Sequence, residues 1–271
     1  MNIKGLSSLS GLLLLGLISA AAAQDECDAA CKAQDPLADV RAIMTDNTIA
    51  FGTSDDQTSY AFQVQPVYSI PTDMGFNFIA RAIVPIMGAR AGADLPNLGP
   101  DSVGGSGITW GLSDIFLQGF FVPKTKNKLK FGFGPQISLR TRTDSAVGGP
   151  GWGAGGAAVA FGFAGNLAYG GILGHHWGQD DFELTTVQPI AMYNLDLFGG
   201  SYVGYNNSIT YSWNAKPGDR WQVPLGLTVG KTFSFEGGHA LDASVGGYAL
   251  VARPGGGADS QFKFGVSWIF P

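Results

Sequence analysis

Charge is scarce in this chain. Asp, Glu, Lys and Arg make up 14% of its 271 residues, against about 25% in an ordinary soluble domain. The charge present is acidic, −5 net with a pI near 5.0, which argues against a nucleic-acid partner, since that calls for a basic face. Long hydrophobic runs are also missing: after the leader-like start no apolar stretch of about 20 residues appears, so a bundle of membrane helices is excluded. Cysteine is limited to Cys27 and Cys31. Aromatics, in contrast, reach 12%, more than a disordered chain carries. Glycine, at 41 residues, follows no three-residue period and so does not describe collagen. A folded chain rich in β-formers, glycine and aromatics but poor in charge has the composition of a barrel in lipid.

The first residues give the compartment. Lys4 supplies a positive start, Leu9 to Ser19 an apolar stretch, and Ala20 to Ala23 the small residues of a cleavage site, most simply after Ala23. Residues 1–23 are therefore expected to be an export signal, 24–44 an amino-terminal periplasmic or plug segment and 45–271 the barrel. An exported chain meets an oxidising compartment, so a disulfide between Cys27 and Cys31 is expected. A metal or haem at that pair lacks a nearby histidine to complete it, and no metal or other cofactor is expected.

Beyond residue 44 the sequence alternates with period 2. From Leu129 to Thr143 the odd positions include Phe131, Phe133, Ile137 and Leu139. The even ones are Lys130, Gly132, Gly134, Gln136, Ser138, Arg140 and Arg142. Successive strand side chains point to opposite faces, so one face is greasy and the other wet. The same alternation sets Phe76, Phe78, Val84 and Ile86 against Arg81, Leu117 and Phe121 against Asp114 and Gln118, Leu225, Leu227 and Val229 against Gly226 and Thr228, and Phe264 and Trp268 against Lys263 and Ser267. Three features separate this from a soluble sandwich. Segments of roughly 10–14 residues exceed sandwich strands. The wet face carries Gly, Ser, Thr and Gln rather than Lys and Glu. Aromatics such as Tyr60, Tyr68, Trp110, Trp177, Tyr193, Trp213, Trp221 and Trp268 fall near segment ends, as interfacial girdles require.

Short links near Thr72, Lys124–Asn127, Gly165, Leu197–Gly199 and Glu236–Gly238 alternate with links at Thr53–Gln57, Gly88–Gly107, Asp144–Gly151, Asp180–Asp181, Asn214–Asp219 and Pro254–Asp259 that are longer or richer in turn residues. The spacing predicts an all-β, transmembrane, antiparallel up-and-down β-barrel of about twelve strands. Both ends then lie in the periplasm, and Asp35-Pro36 reads as the start of a short amino-terminal periplasmic helix.

Several runs resemble a large bacterial family of outer-membrane proteins called "transporter", often mislabelled neuromedin U and related to the MetA-type barrel of phenol degradation. They include Asp35-Pro-Leu-Ala-Asp-Val40, Phe62-Gln-Val-Gln-Pro-Val67, Ala80-Arg-Ala-Ile-Val-Pro85, Gly111-Leu-Ser-Asp-Ile115 and Trp152-Gly-Ala-Gly155. Further on come His175-His-Trp177, Val187-Gln-Pro189, Trp221-Gln-Val-Pro224 and Trp268-Ile-Phe-Pro271. They occur in the family's order over most of the chain. The Cys27–Cys31 pair is a departure. The resemblance implies a barrel with a passive-transport role and, with that role, a small hydrophobic or aromatic solute.

The wet face is where function is expected. Gln65, Arg81, Asp114, Gln118, Lys130, Gln136, Arg140, Arg142, Gln188, Asn206, Asp242 and Lys263 are the candidate lining of a solute path. Five cations against two carboxylates predict a weak anion preference, with Arg140 and Arg142 guarding the outer mouth. The alternative is a structural or adhesive barrel without a pore, its lumen filled by the same groups. A lipid-modifying enzyme is a third class, but a serine activated by histidine has no run here: His175-His-Trp-Gly178 and His239-Ala-Leu-Asp242 lack one. His175 and His176 diverge by parity and suit rim hydrogen bonding. Expected partners are the outer-membrane bilayer, the barrel-assembly machinery and a small solute. Parity also predicts that Gly226 and Ser267 tolerate small polar residues, whereas Leu225 and Phe264 do not tolerate Arg.

Overall fold

A computed structural model describes residues 29–53, 56–90, 108–195 and 199–271. The expected export signal, its cleavage site and Cys27 lie outside the described residues. Cys31 is disulfide-bonded.

Alternating residues form twelve long strands: β1 (Arg41–Thr53), β2 (Gln57–Pro71), β3 (Phe76–Arg90), β4 (Ile108–Leu112 continuing as Ile115–Pro123), β5 (Leu129–Leu139), β6 (Gly153–Ala164), β7 (Leu167–Trp177), β8 (Glu183–Leu195), β9 (Ser201–Asn206 continuing as Ile209–Ser212), β10 (Trp221–Ser234), β11 (Ala240–Ala252) and β12 (Ser260–Phe270). Each pairs antiparallel with its sequence neighbours, and β1 pairs with β12, as in Asn47 opposite Phe264, which closes the barrel. Closure leaves no unpaired edge, the condition for a sheet in lipid. The uninterrupted strands have 11 to 15 residues, which at about 3.3 Å each and a tilt near 40° spans roughly 28–38 Å.

The faces follow parity. Ile43, Val64, Ile86, Phe131, Leu173, Leu225, Leu227 and Val266 are exposed on the exterior. Trp110, Trp152, Trp177, Trp213 and Trp221 ring the loop end. At the turn end Tyr68 lies under Arg41, 4.9 Å from guanidinium to ring, and Phe235 stacks on Trp268 at 5.5 Å. An apolar band between two aromatic girdles is the exterior of a membrane-spanning barrel. No helix among the described residues is long and apolar enough to cross a membrane.

Two details depart from the sequence reading. The first strand starts at Arg41, four residues earlier than the boundary at 45, because Arg41 to Met44 pair with both β2 and β12. The helix α1 (Ala29–Gln34) ends at Asp35-Pro36 instead of starting there: the residue before a proline is pushed out of the helical region, and Asp35 Oδ1 instead accepts the Leu37 N–H at 2.8 Å.

The inward face also contains glycines, Gly134 and Gly226 among them, that no other residue can replace without moving backbone. A Cβ on Gly134 would lie 1.8 Å from the Gly119 carbonyl oxygen, and one on Gly226 1.9 Å from that of Gly247. The strands approach closely there to curve a narrow barrel. Tolerance of a small polar residue at Gly226 is therefore overturned: the position faces inward as expected, but it has no room.

Candidate functional site: a lumen closed at both ends

The two mouths are filled by different parts of the chain. At the turn end, residues 33–40 run across the opening. Leu37, 4% exposed, packs against Ile79, Phe120, Val122 and Val159. Gln34 exchanges hydrogen bonds with Asn194 at 2.7 and 3.2 Å, and Lys130 Nζ pairs with Asp35 Oδ2 at 2.6 Å. The amino-terminal segment, for which mouth and plug were both open readings, is seated inside the mouth.

At the loop end, the β5–β6 connection folds inward. Its Ser145–Val147 turn buries Val147 against Ala61, Met87 and Phe116. The latch is Asp114, 0% exposed, at the break in β4. Its Oδ1 accepts the N–H groups of Thr141 and Arg142 at 3.0 and 3.1 Å, its Oδ2 that of Gly151 at 2.6 Å, and Arg142 Nε lies 3.4 Å from Oδ2. Ser113 and Ser138 donate to the Gly148 and Gly151 carbonyls at 2.7 and 2.8 Å. A strand can release two residues from its ladder only if other groups replace the lost bonds; here Ser113 N donates to Pro85 O and the docked loop takes the rest.

Between the plugs lies a cavity of about 170 Å³. Six of the twelve candidate residues line it: Gln65, Arg81, Gln188, Asn206, Asp242 and Lys263. Arg81 Nη2 donates to Gln65 Oε1, and Gln65 Nε2 to Gln63 Oε1 at 2.8 Å. Gln188 donates to Asn206 at 2.7 Å, and Lys263 pairs with Asp46 at 3.0 Å. Asp242 accepts from Tyr202 and Thr232 at 2.9 and 2.8 Å. Of the other six, Lys130 sits at the turn-end mouth, Gln118 donates to Gln136 at 3.1 Å and Gln136 to the His175 carbonyl at 3.0 Å. Asp114 and Arg142 hold the loop, while Arg140 is exposed beyond the end of β5.

This changes the charge balance. The inward cations Arg81, Lys130, Arg142 and Lys263 face four carboxylates, Asp35, Asp46, Asp114 and Asp242, so the five-to-two excess behind the expected anion preference is gone. Asp46 points inward with Ala42, Met44 and Thr48 on β1, a strand whose weak alternation gives no clear face from sequence. Asp35 comes from outside the barrel wall altogether. Asn207 was also missed: at the break in β9 it turns inward beside Asn206 and donates to Gln261 at 3.3 Å. The signal for the breaks was Ser113-Asp114 and Asn207-Ser208, polar pairs that interrupt apolar alternation. The apolar floor of the lumen was legible too, since Phe116, Phe120 and Val122 share parity with Asp114 and Gln118.

His175 Nδ1 meets Thr185 Oγ1 at 2.7 Å on the rim. His176 Nε2 lies 2.9 Å from Ser138 Oγ, a contact the sequence did not show. The single proton of that hydroxyl goes to Gly151 O, so the histidine donates to the serine instead of activating it. Among the described residues, no group of three His, Cys, Asp or Glu is placed to hold a metal.

No family model matches the chain, and no curated protein matches it, so the local runs that resemble the "transporter" family do not amount to membership. Among solved structures the chain is similar to CdiB from Acinetobacter baumannii, at 12% identity and a TM-score of 0.31, over 85% of this chain and 60% of that one. A mutant of Rh. blastica porin is 13% identical with a TM-score of 0.23, over 85% of this chain and 99% of that one. Both likenesses are too slight to bear on function.

Proposed function

We propose that the protein is an outer-membrane barrel that takes up a small solute into its lumen and passes it on, and that the form described is the closed one. The observation that carries this is the lumen cavity covered at the turn end by a segment held through few bonds: a purely structural barrel has no need of an interior void. Export through the amino-terminal signal, insertion by the barrel-assembly machinery and periplasmic placement of the turn end agree with the export-signal pattern and the alternation of short and long links. The local runs that resemble the "transporter" family point the same way.

The second reading, a barrel without a pore, is favoured by the deep burial of the loop-end plug and by the pairing of Lys130, Arg142 and Lys263 with Asp35, Asp114 and Asp46. Planar-bilayer recording separates the two. Under the channel reading, wild type gives rare small openings, and Leu37→Asp combined with Asp114→Asn, which weakens both plugs, gives frequent ones. A folded double variant that stays silent would establish the pore-less reading. Fractionation and amino-terminal sequencing test the rest: the mature chain should start at Gln24 in the outer membrane.

A further inference from the structure

We infer that the cavity is a binding site for a small amphipathic monoanion, a monocarboxylate with an apolar body of about six carbons, its carboxylate on Arg81. This rests on the reading of the lumen as a place that takes up solute. Arg81 reaches the cavity from β3 with one hydrogen bond, to Gln65, and its Nε has no partner. Among the described residues no carboxylate lies within ion-pair distance of it: Asp46 is engaged by Lys263 and Asp242 by Tyr202 and Thr232. A guanidinium held away from water without a counter-charge is costly, and its planar fork matches a carboxylate. Asn206 completes the polar side: its Oδ1 accepts from Gln188, which leaves its Nδ2 free to donate into the cavity.

Apolar side chains also line the cavity, beginning beside Arg81 itself, where Val67 is its cross-strand partner and Ile79 lies two residues along β3. Val67, Ile79, Ile172, Ile190 and Met192 line the same cavity. A volume of about 170 Å³ compares with the roughly 150 Å³ void that accepts benzene, so it holds one ring or a short chain. The site thus combines a guanidinium without a carboxylate partner, one amide donor and an apolar stretch of lining, the complement of a short-chain carboxylate rather than an inorganic anion or a neutral hydrocarbon.

The test is equilibrium binding to the full chain in lipid nanodiscs, with empty discs as blank and heat-modifiable gel mobility as the check of folding. The probes are hexanoate, hexan-1-ol, hexylammonium and acetate. Hexanoate should bind saturably and roughly tenfold or more tighter than hexan-1-ol, the factor a charge-assisted hydrogen bond supports; hexylammonium should not bind. Arg81→Gln should bring hexanoate level with hexan-1-ol, Arg81→Lys should keep the preference, and Ile172→Ala should weaken both ligands alike. Equal binding of hexanoate and hexan-1-ol in wild type, or an undiminished preference in Arg81→Gln, would overturn the assignment. Acetate binding as tightly as hexanoate would overturn the apolar half of it, a comparison that needs no variant to fold. Binding without conduction in bilayers would refute the channel and leave this site standing; conduction without binding would do the reverse.

Discussion

The two plugs fill similar openings by different means, and the difference separates a wall from a door. The loop-end plug is knitted into the barrel: its latch, Asp114, is fully buried, accepts three backbone N–H bonds and forms an ion pair with Arg142. Removing a buried partner leaves uncompensated polar groups, which is why such latches are hard to open. The turn-end plug is the segment that leads into β1. Its ion pair joins a buried Asp35 to a Lys130 side chain that is 40% exposed, so water competes on the lysine side, and its buried anchors are Gln34, Asp35, Leu37 and Ala38. A segment outside the strand ladder with few side-chain bonds opens locally at a cost below that of global unfolding.

The sharpest way to break this comparison is at the latch. Asp114→Ala should destabilise the barrel by about 3–5 kcal/mol, read from urea unfolding of the refolded protein. A loss below that of an exposed ion pair would show that the loop is not knitted in. The barrel wall supplies a yardstick next in size. Leu225, 62% exposed on the lipid side, replaced by Arg should cost about 2–4 kcal/mol. Gly226→Ser, one residue away and facing inward, should also impair assembly through the contact with Gly247, although it adds no charge to lipid. Efficient assembly of that variant would mean that β10 and β11 approach less closely than the structure has them.

The turn-end plug should behave differently. Leu37→Ala deletes buried methyl groups, a change that costs about 2–5 kcal/mol in a fixed core. Here global unfolding should move little, since the segment detaches first. What should rise, by an order of magnitude or so on the local-opening picture, is labelling of Ser244→Cys in the cavity by a membrane-impermeant thiol reagent. Unchanged labelling would make the segment a permanent wall. Asp35→Ala should act in the same direction with an effect of about 1–3 kcal/mol, because it leaves the buried Leu37 N–H without its acceptor.

The smallest expected effect is on ion preference. Arg140→Gln with Arg142→Gln should shift the reversal potential in a salt gradient only slightly, because Arg140 is exposed and Arg142 is spent on Asp114. A large shift would restore these arginines to the conduction path and place the loop outside it.

Much of the barrel was legible in advance for a local reason. Period-2 alternation depends only on neighbouring residues, so the outward Phe131, Leu225 and Val266 and the inward Arg81, Gln136 and Lys263 could be sorted without any knowledge of pairing. The eleven links could be placed by turn residues alone. What the sequence could not determine was whatever depends on parts of the chain meeting across the lumen. Asp35 faces Lys130 across 95 positions and Asp46 faces Lys263 across 217, so the charge balance was set by closure. Gly226 reads as a small inward residue, and only the approach of the Gly247 carbonyl makes it irreplaceable. The loop from 140 to 152 reads as an outer loop, yet Val147 and Pro150 are buried because Asp114 collects its N–H groups. Alternation fixes which way a side chain points. Register, curvature and the folding-in of segments, all non-local, decide what it finds there.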